Sequence, residues 1–406
     1  GCVPKKLLVY ASHFHEDFED AAGYGWSVPK PSFDWATLIA NKDKEIDRLN
    51  AAYKSTLARA KAELIESRAT LVDRNTIAVA GRQVSAEVIL IATGSWPELP
   101  KIPGIEHAIT SNECFHLDKL PERVVVVGGG YIALEFAGIF NGLGSDTTVL
   151  YRGEQVLRGF DMDVRNFLAD ELGKKGIKIR CKTDVARIDK QGGALRLTLK
   201  DGATLECDQV LYATGRRPLT RNMGLDKVGV QLDEIGAVKV DARSQTSVPN
   251  IYAVGDCTNR INLTPVAIRE GHAFADSVFG KTPWQVDHAD CPSAVFTQPP
   301  VGSVGLSEEA ARAKFGAIDI YRESFRPMKH TMTGRTERAL MKLIVDRKSQ
   351  VVVGAHMVGS DAPEIIQTLA IAVKLKATKQ QIDQTIAVHP TAAEEFVTMR
   401  TPVAAE

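Results

Sequence analysis

The segment RVVVVGGGYIA, residues 123–133, runs from consecutive valines through three glycines into a helix-compatible sequence. Valine-rich runs are typical of a buried strand. The turn fits G-x-G-x-x-A, in which Gly128 allows the tight turn, Gly130 lets the backbone approach a pyrophosphate and Ala133 permits close helix–strand packing. A helix N-terminus at this point favours an anion. With TTVLYR, residues 147–152, as the second strand, the pattern predicts a dinucleotide-binding βαβ unit, the alternative being a structural glycine-rich turn.

The end of the second strand indicates which dinucleotide is preferred. An NAD site carries an Asp or Glu there, about 20 residues after the turn, to bind the ribose 2′-OH. This chain has Tyr151, followed by Arg152 and then by Arg158. Because guanidinium groups pair well with phosphate, we predict NADPH. The alternative is that both arginines are solvated loop residues.

Other segments have recognisable patterns. Asp34 is placed to cap a long helix over residues 34–65, and residues 76–95 have the pattern of a hairpin. The proline-rich WPELPKIPG that follows predicts a domain boundary. From Cys291 onwards the pattern is mixed α+β, with LMKLIVD and VVVGAHMVG as paired strands and EIIQTLAIAVKLKA as an amphipathic helix.

Composition excludes several classes of protein. Lys+Arg and Asp+Glu both number 50 among 406 residues, so no net charge attracts nucleic acid or a membrane surface. The hydrophobic fraction of 44% is ordinary for a globular protein. No apolar run approaches the roughly 20 residues of a membrane span. With no signal peptide visible, we expect a cytoplasmic protein, and an organellar address ahead of Gly1 stays open.

The cysteines do not form a disulfide scaffold. Six are scattered singly, and for all but Cys2 we expect small buried hydrophobes. Cys2 lies at a predicted helix start near Lys5 and Lys6, which are the ingredients of a stabilised thiolate, although an accidental terminal cysteine fits equally well. The histidines of HFHED, residues 13–17, do not share a helix face, so we predict no metal site.

Several motifs together identify a family. GCVPKK, GGGYIALE, VLRGFD, ATGRRP, VGD and HPTAAEEF occur in this order over nearly the whole chain. In this the sequence resembles the flavin disulfide reductases, and among them most closely the glutathione reductases of bacteria and plants. The resemblance implies an α/β fold with two Rossmann-like nucleotide-binding domains, the first truncated, and a C-terminal α+β dimerisation domain. The implied boundaries are 1–93 for the FAD-binding part, 94–218 for the NADPH-binding domain, 219–289 for the rest of the FAD/central domain and 290–406 for the dimerisation domain.

The resemblance also bears on the start of the chain. Family members carry about forty further residues, which hold a glycine-rich FAD motif and the first cysteine of a C-x-x-x-x-C pair. Cys2 corresponds to the second cysteine, the thiolate that contacts the flavin. We therefore expect a chain that lacks half of its redox disulfide and much of its FAD-binding unit.

Further residues carry over by resemblance. Lys5 corresponds to a lysine beside flavin N5 and Glu135 to its ion-pair partner, while Tyr131 corresponds to an aromatic lid over the nicotinamide site. Arg216 corresponds to a residue near NADPH. Asp256 matches the carboxylate that binds the flavin ribityl chain, and Thr264 a contact of the isoalloxazine edge.

The C-terminal motif supplies the predicted acid–base group. A lone histidine is more often structural, but Glu394 follows His389 closely enough to orient its ring. By resemblance, this pair reaches across a two-fold homodimer into the partner's active site and protonates the leaving thiol. Tyr53 and Ile268 match positions that contact glutathione. His272 replaces a family arginine, which weakens the assignment of residues to substrate binding.

The resemblance implies NADPH-dependent reduction of glutathione disulfide through FAD and a cysteine pair. A lipoamide dehydrogenase would carry an acid near Tyr151, and mercuric or large thioredoxin reductases would carry a second redox pair at the C-terminus, which TPVAAE lacks. A trypanothione-type reductase stays open. So does a second class, a truncated and inactive NADPH-binding dimer.

Overall fold

A computed structural model describes residues 1–404. The α-helices are α1 Cys2–Asp20, α2 Trp35–Arg59, α3 Tyr131–Gly142, α4 Met162–Lys174, α5 Thr264–Val278, α6 Glu308–Phe315, α7 His330–Thr333, α8 Ala362–Lys374, α9 Lys379–Gln384 and α10 Glu395–Thr398. The strands are β1 Ala69–Asp73, β2 Thr76–Val79, β3 Arg82–Ser85, β4 Ile89–Ile91, β5 Ser95–Pro97, β6 Arg123–Val127, β7 Asp146–Leu150, β8 Lys178–Arg180, β9 Val185–Gln191, β10 Ala194–Leu199, β11 Thr204–Cys207, β12 Gln209–Tyr212, β13 Arg216–Pro218, β14 Ile251–Ala253, β15 Ser293–Val295, β16 Val301–Gly305, β17 Ile318–Phe325, β18 Ala339–Asp346 and β19 Val352–Val358. No helix within residues 1–404 is long and apolar enough to cross a membrane.

The chain forms two compact units. The larger unit comprises Gly1–Asp43, Leu99–Thr214 and the described chain from Ala289 onwards, and the smaller unit comprises Lys44–Glu98 and Gly215–His288. The predicted boundary in WPELPKIPG lies close to one of these divisions. The larger unit combines residues 99–214 with the C-terminal segment, which the predicted division places in separate domains. The division into four domains therefore stays a prediction.

The larger unit contains the predicted βαβ unit. Strands β6 and β7, which precede and follow α3 in the chain, pair in parallel, and the sheet has the order β12-β6-β7-β8. The strand valines and the apolar face of α3 form one core, in which Val126, Leu134 and Val149 are fully buried. Because both faces of this parallel sheet are covered, its strands read as continuous apolar runs.

Helix α1 packs against α3 at very close range. Leu8 of α1 is fully buried in the same core. A Cβ added to Gly142 of α3 would lie 2.4 Å from the carbonyl oxygen of Ser12. Glycine at this crossing therefore lets the two helices approach, and the approach fixes the N-terminal turn of α1 relative to α3.

The C-terminal part of the larger unit is α+β, as predicted. Its antiparallel sheet has the order β15-β16-β19-β18-β17, and the two strands expected to pair, β18 and β19, do so from Leu340↔Val358 to Val345↔Val352. Helix α8 covers one face with Ile366 and Val373. A second antiparallel sheet, β11-β10-β9, belongs to the same unit.

The smaller unit is built from short strands. It contains the antiparallel sheet β1-β2-β3, the antiparallel pair β5 and β13, and the parallel pair β4 and β14. The predicted hairpin is present as β2 and β3. With helices and sheets in both units, the fold is mixed α/β.

The long helix predicted from Asp34 is present but shorter than expected. The Asp34 carboxylate accepts the Thr37 N–H at 2.8 Å, as a capping residue does. The helix ends at Arg59 because Lys61 adopts a left-handed conformation with φ +54°. The Ala62 N–H then bonds the Leu57 carbonyl, which closes the helix end.

Candidate functional site

Cys2 is the first residue of α1 and is exposed. Gly1 precedes it as the N-cap, and the Lys5 N–H bonds the Gly1 carbonyl at 3.3 Å. The N-terminus of a helix carries a partial positive charge, which stabilises a thiolate. The predicted position of Cys2 at a helix start is therefore confirmed.

Lys5 and Glu135 form a buried ion pair between α1 and α3. Their charged atoms are 2.6 Å apart, and the side chains are 12% and 3% exposed. The same oxygen of Glu135 accepts the Phe296 N–H at 2.9 Å, and the ring of Phe296 lies 4.3 Å from the Lys5 ammonium. Nothing in the local sequence around Phe296 signals this contact.

Lys6 lies over two aromatic rings and shares one of them, Phe296, with Lys5. Its ammonium lies 3.9 Å from the centre of the Phe296 ring and 4.7 Å from that of Tyr10. Burial, and then the neighbouring charge of Lys5, lower the pKa of Lys6 below its ordinary value. The two lysines after Cys2 thus have different environments, one paired with a carboxylate and one held over aromatic rings.

The glycine-rich turn has the geometry that the motif predicts. Gly128 has φ +144°, and a Cβ on it would lie 2.4 Å from the Ala213 carbonyl oxygen. A Cβ on Gly130 would meet nothing within 4 Å, which leaves open space at the start of α3. Ala133 is fully buried in the core, while Tyr131 is 43% exposed on the first turn. Open space before a helix N-terminus fits a pyrophosphate.

The middle glycine of the turn, Gly129, is required by packing, which the motif G-x-G-x-x-A does not specify. A Cβ on Gly129 would lie 2.5 Å from the ring of Tyr151, and a Cβ on Gly153 would lie 2.6 Å from the same ring. The aromatic ring is therefore packed between two glycine backbones. Tyr151 occupies the position of the NAD-type acid and contributes no carboxylate there.

Arg152 and Arg158 are both exposed. Within residues 1–404 neither guanidinium has a hydrogen-bond or ion-pair partner. A cavity of about 320 Å³ lies beside Arg152, and its wall contains Lys182 and Lys200 together with Asp184 and Asp201. Two unpaired guanidinium groups after the second strand fit a ribose 2′-phosphate, so these residues suit NADPH.

In the smaller unit, Asp256 and Arg216 meet at one serine. Ser95 donates its hydroxyl to Asp256 Oδ2 at 2.7 Å, and Arg216 donates to Ser95 Oγ at 2.8 Å and to its carbonyl at 2.7 Å. In the described chain, Asp256 Oδ1 accepts no hydrogen bond, so it can accept one from a ligand hydroxyl. This donor set fits the polyol chain of FAD. The predicted role of Arg216 beside NADPH stays a prediction.

Glu270 holds the turn that precedes Asp256. It is 1% exposed and accepts the Gly255 N–H at 2.7 Å, where Gly255 has φ +73°. Arg260, at 2.9 Å, balances its charge, and the Nε2 atom of His288 lies 2.7 Å from the same oxygen. Sequence reasoning missed Glu270 and Ser95, although Ser95 directly follows ATG, residues 92–94, at the end of β4.

Helix α5 presents a row of exposed side chains. Thr264, Ile268 and His272 follow one another at helical spacing, and Ile268 is 55% exposed. Tyr53, on α2, is 72% exposed. These are the predicted contacts of the flavin edge and of the substrate, and their roles stay predictions.

His389 and Glu394 form the expected pair. The Nδ1 atom of His389 lies 3.0 Å and 3.2 Å from the two carboxylate oxygens. The imidazole is 79% exposed, so its Nε2 edge faces outward for a reactant. Ile386 and Val388, just before it, are 92% and 72% exposed, which is typical of a surface that another chain covers.

The remaining cysteines are largely inert. Cys114, Cys207 and Cys257 are buried, as expected, whereas Cys181 and Cys291 are partly exposed. Burial raises the pKa of Cys114, and it raises that of Cys207 to about 12. These thiols stay protonated at neutral pH and are poor nucleophiles.

Comparisons with known proteins agree with this arrangement. Residues 1–271 match the model of the pyridine nucleotide-disulphide oxidoreductases, and residues 291–400 match the dimerisation domain of the same family. The chain is 53% identical to a glutathione reductase from Burkholderia cepacia over 98% of this chain and 89% of that protein. It is 49% identical to one from Nostoc sp. over 98% and 90%. The fold superposes with a TM-score of 0.88 on the HOCl-induced flavoprotein disulfide reductase RclA from Escherichia coli, at 27% identity over 98% and 89%.

Proposed function

Because this chain belongs to the pyridine nucleotide-disulphide oxidoreductase family, we propose that it reduces glutathione disulfide with NADPH and FAD. The reaction is NADPH + H⁺ + glutathione disulfide → NADP⁺ + two glutathione. The observation that carries the proposal is the 49–53% identity with two glutathione reductases along nearly the whole chain. The position of Cys2 and the pairing of His389 with Glu394 agree with it.

Cys2 supplies one sulfur of the redox-active pair. FAD, which Asp256 would help to hold, would supply the two-electron transfer from NADPH to a cysteine disulfide. Cys2 lies at the N-terminus of α1, exposed to a reactant. Lys5 places a positive charge one turn further along α1, and Glu135 fixes the position of that charge at 2.6 Å.

His389 moves the proton that disulfide cleavage requires. When a protein thiolate attacks glutathione disulfide, the leaving sulfur needs a proton. The Nδ1 atom of His389 lies against Glu394, which orients the ring, so Nε2 is the atom that donates that proton and recovers it in the second half of the reaction. The family's dimerisation domain supports a homodimer, in which His389 serves the partner's site.

Glutathione disulfide and trypanothione disulfide are the substrates to compare. The FAD-loaded protein, in a form that carries a cysteine partner for Cys2, is mixed with NADPH and with each disulfide in turn, lipoamide serving as a third. We expect the largest kcat/KM for glutathione disulfide and only weak use of NADH. A higher kcat/KM for trypanothione disulfide would assign the protein to the other substrate class, and no NADPH oxidation with any disulfide would refute the proposed activity.

A His389→Gln variant tests the proton-transfer step. We expect disulfide reduction to fall roughly 10²–10⁴-fold, while stopped-flow flavin reduction by NADPH stays at the parent rate. Thr391→Ala serves as the control, because among residues 1–404 the Thr391 hydroxyl bonds only the Val388 carbonyl. Full turnover in the His389→Gln variant would show that another group carries the proton.

A further inference from the structure

The loop between β7 and α4, residues 151–161, carries both predicted phosphate-binding arginines. Its middle is held by the Leu157 N–H, which bonds the Gly129 carbonyl at 2.6 Å. Arg165 of α4 donates to the carbonyls of Val156 and Gln155 at 2.8 Å and 2.6 Å. Arg158 itself has no hydrogen-bond or ion-pair partner within residues 1–404. Its position therefore depends on how firmly the loop backbone is held.

The loop ends at a second fixed point, Asp161. This fully buried residue caps α4 by accepting the Asp163 N–H at 3.1 Å. Its other oxygen accepts the Glu308 N–H at 2.9 Å. Both oxygens also accept from the ammonium of Lys342, at 2.9 Å and 3.1 Å.

Lys342 reaches this loop from the C-terminal sheet. It lies on β18, its side chain is 1% exposed, and it also contacts the carboxylates of Asp163 at 2.6 Å and Glu308 at 2.7 Å. Burial opposes its charge, but the three carboxylates outweigh burial and raise the pKa of Lys342 above its ordinary value. The ammonium is therefore a permanent, buried anchor.

Leu157, whose N–H is the first fixed point, is conformationally strained. Leu157 adopts a left-handed conformation with φ +57°. A non-glycine residue keeps such a conformation only where its surroundings impose it. Arg158 follows Leu157 directly and lies between it and Asp161, so its position depends on both fixed points.

We propose that Lys342 is a positioning residue for the cofactor's 2′-phosphate, which holds Arg158 in place through Asp161. The inference rests on the proposed use of NADPH. It assigns to a residue of the dimerisation domain a role in cofactor choice. Lys342 contacts no phosphate itself and acts through the loop backbone.

The first test is direct binding of 2′,5′-ADP and of 5′-AMP to the FAD-loaded protein by calorimetry. Lys342→Met should weaken 2′,5′-ADP about tenfold, since Arg158 would lose most of a charge-assisted hydrogen bond, and leave 5′-AMP unchanged. KM for NADPH should rise by the same factor, with kcat and the NADH constants unchanged. Equal losses for both nucleotides would show a merely structural role and overturn the proposal.

A double-mutant cycle gives the second test. In an Arg158→Leu background, Lys342→Met should cause no further loss of 2′,5′-ADP binding, because the group it positions is gone. Additive losses would contradict the inference. If Arg158→Leu alone has no effect, the proposed phosphate site is wrong; if Arg158→Leu weakens binding and Lys342→Met does not, only the positioning role is wrong.

Two further variants guard against misfolding. Arg347→Met removes an exposed ion pair with Asp319 on the neighbouring strand and should leave both nucleotides unaffected. Should Lys342→Met fail to fold, Lys342→Met with Asp161→Asn removes the anchor while leaving position 161 uncharged and still able to cap α4. This double variant should still lose 2′,5′-ADP binding selectively. If it binds 2′,5′-ADP as the parent does, the proposal is overturned.

Discussion

Replacing Lys5 by Met tests how strongly the buried ion pair fixes α1 against α3. The change removes the ammonium but leaves the Glu135 carboxylate, whose side chain is 3% exposed, with the Phe296 N–H as its one remaining hydrogen-bond partner among residues 1–404. Breaking a buried pair in this way costs roughly 3–5 kcal/mol. Because the Phe296 N–H remains, we expect a loss of about 3 kcal/mol in the free energy of unfolding. For the larger unit, which has roughly 280 residues, an unfolding entropy of about 2.1 cal/mol/K per residue converts this loss into a fall in melting temperature of about 5 °C.

The assay is differential scanning calorimetry at two saturating FAD concentrations, which separates weaker folding from weaker cofactor binding. The matched control is Lys5→Met with Glu135→Gln. Glutamine keeps an acceptor for the Phe296 N–H and removes the unpaired charge, so the double variant should recover most of the loss. A Lys5→Met protein that melts within about 2 °C of the parent would refute the reasoning. So would a double variant less stable than the single one.

Three further outcomes follow from the geometry. Gly129→Ala should lower the melting temperature, because its Cβ would lie 2.5 Å from the Tyr151 ring, whereas Gly130→Ala, which meets nothing within 4 Å, should keep the parent's melting temperature and weaken NADPH binding in a calorimetric titration. Burial holds the pKa of His356 below its ordinary value of 6.5. Below pH 6.5, His356 therefore binds a proton more readily in the unfolded chain than in the folded chain. The free energy of unfolding should then fall below pH 6.5, by at most about 1.4 kcal/mol per pH unit, and urea titrations should show a weaker fall for His356→Gln. Glu270→Ala should raise the dissociation constant of FAD in a fluorescence titration, since it releases the turn whose N–H it accepts at 2.7 Å, and an unchanged constant would contradict this role.

Local patterns predicted the elements that depend on local interactions. The valines before Gly128 formed a parallel strand and Asp34 capped a helix, because strand burial and capping involve residues close in the chain. The end of that helix was wrong by several residues. The residues around Lys61 do not indicate that it adopts a left-handed conformation, because neither glycine nor asparagine stands there.

Contacts between distant residues were harder to predict. The pairing of Lys5 with Glu135 came from resemblance alone, and the structure confirms the contact at 2.6 Å. The contact of Phe296 with Glu135 joins residues 161 positions apart, through a backbone N–H that every residue except proline carries. Side-chain identity therefore gave no signal for it. The same holds for Ser95, whose bonds to Asp256 and Arg216 depend on how strands of the smaller unit meet.

Tyr151 shows how packing and cofactor choice are linked at one position. From the sequence, it matters because it lacks the carboxylate of an NAD site. In the structure its ring also lies against Gly129 and Gly153, so the glycine at the free position of the motif is required by the residue that ends the second strand. A carboxylate at position 151 would therefore change the support of the glycine-rich turn as well as its charge. Arg152 and Arg158 are both exposed and have no such packing role. Changing either arginine should therefore alter selectivity for the 2′-phosphate with less effect on stability than changing Tyr151.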